Sequence, residues 1–298
     1  MLTATFILYR CCYVSGLKKK KRRGEKKFKN FYFKMELNKI YNESNIETMA
    51  KMPDNFIDLT VTSPPYDGLR TYNGYSFPFE DIAKELFRVT KEGGVVVWVV
   101  GDATIEGNET LTSFKQALYF QQIGFNVLDT MIYYINGTGA KGSNNAYWQS
   151  FEYMFILTKG KPKTVNRLAD KRNPNAGKPR SSNGSKKLNE IGTRTERKGV
   201  VAPEFSVREN VWKYNVGQND TTDHPAVFPE KLAADHIYTW SNEGDLVYDC
   251  FMGSGTTAKM AHLQNRKWIG SEISSEYCEL ANKRIAPYLN QTNLFFKP

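Results

Sequence analysis

The five-residue stretch TSPPY, residues 62–66, combines groups that could hold a planar amine for attack on a carbon atom. Ser63 offers a hydroxyl oxygen and Pro64 a backbone carbonyl, and two such acceptors suit the two N–H bonds of an exocyclic amine. Pro64 and Pro65 each fix φ, so the direction of the carbonyl is rigid. Tyr66 could stack on a nucleobase that has been swung out of a duplex. The stretch therefore predicts chemistry on a base amine, and its structural alternative is a proline turn with a buried tyrosine.

A second signal, DCFMGSGTT, lies far along the chain. Gly253 and Gly255 follow a predicted strand and precede a helix, where glycine lets the backbone approach a ligand closely. Glu272 ends the next strand, the usual place of an acid that binds two ribose hydroxyls. Thr256 replaces the phosphate-binding lysine, and the third glycine of the dinucleotide fingerprint is missing. A ligand with a ribose and no phosphate, such as S-adenosylmethionine, is favoured, and a plain βα turn with a helix-capping Glu272 is the alternative.

The cysteines favour a reduced, cytoplasmic protein without a disulfide framework or a metal site. Cys11, Cys12, Cys250 and Cys278 contain no pair at zinc-ligand spacing. Neither Cys250 nor Cys278 lies beside a proline corner of the kind that supports attack on a pyrimidine ring carbon. A methyl group on a sulfonium is already activated, so its displacement by an amine needs neither a covalent enzyme intermediate nor a metal.

Strand and helix patterns alternate along most of the chain. The apolar runs at 57–63 and 95–101 each predict a strand, and the second is continuous enough to be buried on both faces of a parallel sheet. Between them, FEDIAKELFRVTKEGG predicts an amphipathic helix that stops at Gly93 and Gly94. This alternation indicates βαβ units and an α/β fold. After the final predicted helix, the carboxyl-terminal half of the sheet is one strand short. LNKIY, residues 37–41, is predicted to supply that strand, which makes the arrangement circularly permuted.

The net charge of +10 is unevenly distributed. Residues 1–34 hold eleven Lys/Arg and one Glu, and they predict a disordered or extraneous leader, with a DNA-binding arm as the alternative. The apolar start of this leader precedes its lysines, unlike a secretory signal, and is too short to span a bilayer. Residues 159–213 carry fifteen Lys/Arg against five Asp/Glu. The interval 160–222 is therefore predicted to be a loop-rich, basic insert that either contacts a polyanion or forms a solvated face.

Together these signals resemble the amino-group DNA methyltransferases of bacterial restriction–modification systems. The resemblance rests on TSPPY, DCFMGSGTT and HPAVFPEKL, and it covers most of residues 35–165 and 220–290. It implies a Rossmann-like fold, a mostly parallel seven-stranded sheet and S-adenosylmethionine as cofactor. The motif order resembles the family's β type, which implies a catalytic half at 35–159, a target-recognition insert for double-stranded DNA at 160–222, and a cofactor-binding half at 223–298.

The resemblance also assigns site residues. It implies a cofactor site of Asp249, Phe251, Gly253, Gly255 and Glu272, with His224, Phe228 and Glu230 near the methionine end, and Asn42 and Ser44 near the adenine. Ser44 stands where the family often has an acid that contacts adenine, and Asn42 is the candidate substitute. Asp102, after the apolar run at 95–101, is either a second acceptor for the target amine or a helix-capping or solvated aspartate.

The residue at position 63 bears on the target base. Serine at the first catalytic position resembles the N4-cytosine branch, so transfer to N4 of cytosine is predicted, with N6 of adenine as the alternative. RNA and protein-amide methyltransferases with a Pro-Pro-Tyr corner usually place the glycine motif first, the reverse of the order found here. A nucleic-acid-binding module without catalysis is a further alternative, against which intact Ser63, Tyr66 and Glu272 argue. The resemblance also allows a cognate restriction endonuclease acting on the same site, and a homodimer.

Overall fold

The computed structural model describes residues 35–65, 77–136, 147–179, 201–215 and 229–289. All of them belong to one compact unit that begins at Met35, and the predicted leader at 1–34 lies outside them. The helices are α1 (Asn45–Ala50), α2 (Phe79–Val89), α3 (Thr112–Gln122), α4 (Glu230–Trp240), α5 (Thr256–Leu263) and α6 (Ser275–Leu289). The longer strands are β1 (Lys39–Tyr41), β2 (Ile57–Thr62), β3 (Thr90–Val100), β6 (Asn126–Asn136), β7 (Phe151–Thr158), β10 (Val211–Asn215), β11 (Leu246–Asp249) and β12 (Lys267–Ser271). Four two-residue strands complete the described secondary structure: β4 (Thr104–Ile105), β5 (Asn108–Glu109), β8 (Lys171–Arg172) and β9 (Phe205–Ser206). None of these helices is long and apolar enough to cross a membrane.

The central sheet contains eight strands in the order β1-β12-β11-β2-β3-β7-β6-β10. Its neighbouring strands are parallel except at β7, which runs antiparallel to both β3 and β6. Seven of the strands form the mostly parallel, Rossmann-like sheet that was predicted, and β10 adds an eighth at the edge beside β6. The predicted α/β class and Rossmann-like fold are confirmed.

The predicted circular permutation is visible in the pairing of the first strand with the last. β1 runs parallel to β12, with Lys39 opposite Ile269 and Tyr41 opposite Ser271. The Asn38 backbone N–H also donates to the Trp268 carbonyl oxygen at 2.7 Å. The strand of LNKIY therefore completes the half of the sheet that the carboxyl-terminal segment leaves open.

Strand β3 explains why its sequence is apolar without alternation. Val95, Val97 and Val99 face the core beneath α4, α5 and α6, whereas Val96 and Trp98 face the core beneath α1, α2 and α3. All of these side chains are almost fully buried. A strand covered on both faces has no solvent side, so polar residues have no place in it.

The helix α2 stops earlier than its sequence predicts. It ends at Val89, and β3 begins at Thr90, so Gly93 and Gly94 lie within the strand and not at a helix end. Gly93 has φ +77°, and a Cβ on Gly94 would lie 2.9 Å from the Lys91 carbonyl oxygen. The pair forms an irregularity in the β2–β3 ladder, where glycine is needed for conformation and space.

The predicted insert at 160–222 contributes to the main sheet and also forms a small ribbon. β10 lies within the insert and joins the central sheet, while β8 and β9 pair as a separate antiparallel ribbon. Arg208 ties this region to α4, because its Nη1 donates to the Asp235 carboxylate at 2.7 Å and its guanidinium also pairs with Asp170. The Tyr214 hydroxyl donates to the same Asp235 carboxylate at 2.8 Å.

Candidate active site

The two motifs meet at the carboxyl ends of neighbouring strands. β2 ends at Thr62 and β11 ends at Asp249, and these strands run side by side in parallel. The Thr62 hydroxyl donates to the Asp249 carboxylate at 2.7 Å, and both side chains are buried. Ser63 follows Thr62 directly, so the serine–proline corner and the glycine turn start from adjacent points of one sheet edge.

Asp249 organises the start of the glycine turn. Its Oδ1 accepts the Phe251 backbone N–H at 3.0 Å in addition to the Thr62 hydroxyl. The Thr257 hydroxyl, from the first turn of α5, donates to the Val61 carbonyl oxygen at 3.2 Å. Burial raises the pKa of Asp249 to about 6, although the hydrogen bonds to its carboxylate act in the opposite direction. The hydrogen bonds from neighbouring donors thus limit the rise in the pKa of Asp249 that burial causes.

Gly253 and Gly255 both have left-handed backbone conformations, with φ of +50° and +82°. A Cβ on Gly255 would lie 2.9 Å from the Ala281 Cβ and 3.1 Å from the Ile285 Cδ1. The reason for glycine at 255 is thus the close packing of the turn against α6, in addition to the backbone conformation.

Glu272 reaches from the end of β12 to the glycine turn. Its Oε2 accepts the Gly253 backbone N–H at 2.8 Å, and its Oε1 accepts the Ser274 backbone N–H at 2.9 Å. Burial raises the pKa of Glu272, and these backbone hydrogen bonds oppose that change. Each carboxylate oxygen has capacity for a further hydrogen bond, which suits an acid that binds hydroxyl groups.

Asn42 and Ser44 are both engaged in local structure. The Asn42 amide donates to the carbonyl oxygens of Glu272 and Ile273 at 2.9 and 3.1 Å. Ser44 is the N-cap of α1 and forms a reciprocal capping box with Glu47. Asn42 therefore supports the backbone that carries the Glu272 carboxylate, and the Ser44 hydroxyl has a structural reason for its presence.

Glu230 belongs to an ionic cluster behind the glycine turn. Its Oε1 accepts hydrogen bonds from Lys259 Nζ and Arg284 Nη2, both at 2.6 Å. Burial acts to raise the pKa of Glu230, but the bonds from the two cations outweigh it and hold the pKa below its usual value. The Arg284 guanidinium also reaches the side chains of Ser254 and Thr256 in the turn.

Asp102 has the contacts of a helix cap. One of its carboxylate oxygens accepts the Ser113 backbone N–H at 2.8 Å, and the other accepts the Ser113 hydroxyl at 2.5 Å. Ser113 lies in the first turn of α3, and Asp102 is buried. Of the two sequence interpretations, these contacts favour the capping aspartate, because both oxygens already serve α3.

Aromatic side chains surround Phe251 at this edge of the sheet. Its ring centroid lies 5.7 Å from that of Phe77 and 6.3 Å from that of Trp98, both in edge-on contacts. A neighbouring cavity of about 340 Å³ lies between α2 and α3 and is lined by Phe77, Phe79, Glu80, Thr112, Lys115, Gln116 and Tyr119. None of the residues predicted for the site lines this cavity, and its lining residue Phe77 connects it to Phe251 of the glycine motif.

Three predicted site residues, Tyr66, His224 and Phe228, lie outside the described residues. Pro64 is buried, and Ser63 and Pro65 are half-buried at the end of β2. Thus the structure brings together the first part of TSPPY, the glycine turn and Glu272.

Comparison with known protein families shows which family the chain belongs to. A sequence model described as DNA methylase, of the N6/N4 type, matches residues 57–283. The chain belongs to this DNA methylase family. The protein is accordingly a DNA methyltransferase.

Individual relatives agree with the family assignment. The chain is 57% identical over 243 residues to orphan methyltransferase M.BamHII of Bacillus amyloliquefaciens, covering 79% of this chain and 91% of that protein. It is 26% identical over 286 residues to type II methyltransferase M.BglII of Bacillus subtilis, covering 88% of this chain and 72% of that protein.

Solved structures show the same fold at low sequence identity. The PvuII DNA methyltransferase, described as cytosine-N4-specific, has a TM-score of 0.62 and 18% identity, covering 86% of this chain and 87% of that one. TTHA0409 of Thermus thermophilus, whose structure is described as that of a DNA modification methylase complexed with S-adenosylmethionine, has a TM-score of 0.57 and 22% identity. The match covers 85% of this chain and 94% of that one.

The cofactor of this methylase is S-adenosylmethionine, and the described residues fit it. Glu272 provides a carboxylate for ribose hydroxyls at the end of β12, beside the left-handed turn of Gly253 and Gly255. No lysine stands in the turn to pair with a phosphate, which agrees with a ligand that has none.

Sequence reasoning missed Thr62, Lys259 and Arg284. Thr62 carried a weak signal, since a threonine ends an otherwise apolar strand just before the catalytic motif. Lys259 and Arg284 lie on helices whose polar residues look solvent-facing in sequence, and only the packing of α5 and α6 around Glu230 shows their role.

Proposed function

We propose that the protein methylates the N4 amine of cytosine at a specific sequence in duplex DNA, after the cytosine has been flipped out of the helix. The Thr62–Asp249 hydrogen bond carries this proposal, because it fixes the strand that leads to Ser63 against the strand that leads to the glycine turn. Serine at position 63 resembles the cytosine branch of the family. The PvuII enzyme, which shares the fold, is described as cytosine-N4-specific.

The chemistry requires a localised nitrogen lone pair on the target amine. Bound S-adenosylmethionine supplies a methyl group on a positively charged sulfur, which becomes a neutral thioether when the amine nitrogen forms its bond to the methyl carbon. In the proposal, the Ser63 hydroxyl and the Pro64 carbonyl accept hydrogen bonds from the two N–H groups of the amine, which orients the nitrogen. The methylated nitrogen then releases one proton to water. Pro65 keeps the corner rigid, and Tyr66 stacks on the flipped base.

The state of Cys250 supports an amine target over a ring-carbon target. Its thiol is buried at the carboxyl end of β11, with its Sγ 3.6 Å from the Thr62 hydroxyl oxygen. Burial, and then the neighbouring Asp249, raise the pKa of Cys250 well above its ordinary value. A protonated, buried thiol is a poor nucleophile, so the cysteine that lies beside the catalytic strand is unsuited to attack on a pyrimidine carbon.

The insert at 160–222 is the proposed target-recognition region. Its basic side chains supply phosphate contacts, and its Arg, Asn and Lys side chains are available to base edges. The excess of fifteen Lys/Arg over five Asp/Glu at residues 159–213 supports this assignment. The Arg208–Asp235 contact joins the described part of the insert to α4. His224 and Phe228 remain predicted contacts to the methionine end of the cofactor. A cognate restriction endonuclease and a homodimer also stay predictions.

The test is transfer of label from tritiated S-adenosylmethionine into duplex DNA of diverse sequence, followed by digestion to nucleosides. We expect labelled N4-methylcytosine. Labelled N6-methyladenine alone would replace the cytosine assignment by its alternative. DNA binding without any label in DNA would favour the non-catalytic module instead.

A variant isolates the role of the serine. Ser63→Ala removes a hydroxyl acceptor from the proposed amine site, so we expect turnover to fall by about 100-fold or more. Binding of S-adenosylmethionine, measured by calorimetry on the same preparation, should be retained. A variant with an undiminished rate would remove Ser63 from the mechanism.

A further inference from the structure

Arg284 connects three elements that carry the cofactor site. From α6, its Nη1 donates to the Ser254 hydroxyl at 3.0 Å and to the Thr256 hydroxyl at 2.9 Å. The same nitrogen lies 3.4 Å from the Ser254 carbonyl oxygen. Its Nη2 donates to Glu230 at the start of α4 at 2.6 Å. The Arg284 side chain is only 11% exposed, so these contacts are made in a largely desolvated setting.

The residues that Arg284 holds are those that shape the turn. Ser254 lies between Gly253 and Gly255, which both have left-handed backbone conformations. Glycines have no side chain to restrict the turn, so its geometry depends on contacts from outside. Glu272 binds the Gly253 backbone N–H on one side, and Arg284 binds Ser254 on the other.

The positive charges near the start of α5 are not favoured by the stability of that helix alone. Arg284 and Lys259 both place cations at the first turn of α5, where the helix dipole favours negative charge. The single negative charge of Glu230 offsets part of this positive charge through its short hydrogen bonds to both cations. A forked guanidinium can bond the turn and Glu230 at once, which a lysine cannot do with the same geometry.

We propose that Arg284 is a positioning residue that holds the glycine turn in the conformation that binds S-adenosylmethionine, with Glu230 as its charge partner. The proposal rests on the cofactor and not on the identity of the target base. Binding measured without DNA therefore tests it separately from the proposed function.

The primary variant is Arg284→Met, which keeps an unbranched apolar stem and removes the guanidinium. We expect the Kd for S-adenosylmethionine to rise about tenfold or more, because several hydrogen bonds from a charged group are lost at the turn. The KM for DNA should stay within about twofold of the wild-type value, since the change affects one substrate. Arg284→Lys should give an intermediate Kd.

Lys283→Met is the matched control, because Lys283 is the exposed neighbour of Arg284 on α6. It should leave the Kd for S-adenosylmethionine unchanged. Thr256→Val keeps the side-chain volume and removes one acceptor, so it tests the same contact if Arg284→Met does not fold. A Kd for S-adenosylmethionine within threefold of the wild-type value in Arg284→Met would overturn the proposal. If Arg284→Met does not fold, a Kd within threefold of wild type in both Thr256→Val and Arg284→Lys would overturn it instead. An equal rise in Lys283→Met, or equal losses of cofactor and DNA affinity, would also overturn it.

Discussion

Replacing Gly255 by alanine should destabilise the fold through two separable effects. The backbone at Gly255 has φ +82°, a conformation that costs an L-residue about 1–2 kcal/mol. The added Cβ would lie 2.9 Å from the Ala281 Cβ and 3.3 Å from its Cα, so α6 must move. Overpacking of this kind costs about 1–3 kcal/mol. We therefore expect the free energy of unfolding to fall by about 2–5 kcal/mol in total.

Gly244 provides the control, because it has nearly the same backbone conformation without the crowding. Its φ is +83°, and a Cβ there would meet nothing within 4 Å. Gly244→Ala should thus show only the backbone effect, partly offset by reduced freedom of the unfolded chain. Urea unfolding followed by circular dichroism gives both free energies. Equal destabilisation of the two variants would refute the idea that packing against α6 requires glycine at 255.

Three further predictions concern other parts of the molecule. Between pH 6.5 and about 3, the free energy of unfolding of the wild-type protein should fall by about 1.4 kcal/mol per pH unit relative to that of His236→Phe, as urea titrations can show. The reason is that burial, and then Arg208, lower the pKa of His236 to about 3, so below pH 6.5 the unfolded chain binds a proton that the folded chain does not. Asp102→Ala should lower stability by about 1–2 kcal/mol and leave turnover within about threefold, since the carboxylate caps α3; a collapse of turnover at unchanged stability would assign Asp102 to the chemistry. Arg208→Met should raise the KM for DNA while the Kd for S-adenosylmethionine stays constant, because Arg208 holds the insert against Asp235 of α4. Lys84→Met, which removes exposed ion pairs on α2 outside the insert, should change neither.

Much of the fold could be predicted because its signals are local. The run at 95–101 is apolar since both faces of β3 are covered, and the glycine turn marks the junction of β11 and α5. Gly93 and Gly94 were misread as a helix stop, because glycine ends helices and also permits irregular strand pairing. That choice depends on the partner strand β2, which the local sequence does not contain.

The site was predictable in its motifs and not in its supporting contacts. Ser63 and Glu272 could be predicted as site residues because both have recognisable flanking patterns, and their roles stay predictions. The bond between Thr62 and Asp249 joins residues 187 positions apart, and nothing in either flanking sequence states that distance in space. Arg284 was missed for the same reason, since its partners lie on other elements.

The pairing of β1 with β12 has a consequence for how the protein is made. β11 and β12 lie between β1 and β2 in the sheet, although they follow both of them in the sequence. A nascent chain therefore has no neighbour for β1, and one edge of β2 stays unpaired, until β11 and β12 have left the ribosome. The cofactor site, which needs the glycine turn after β11 and Glu272 after β12, cannot assemble before these two strands have been synthesised.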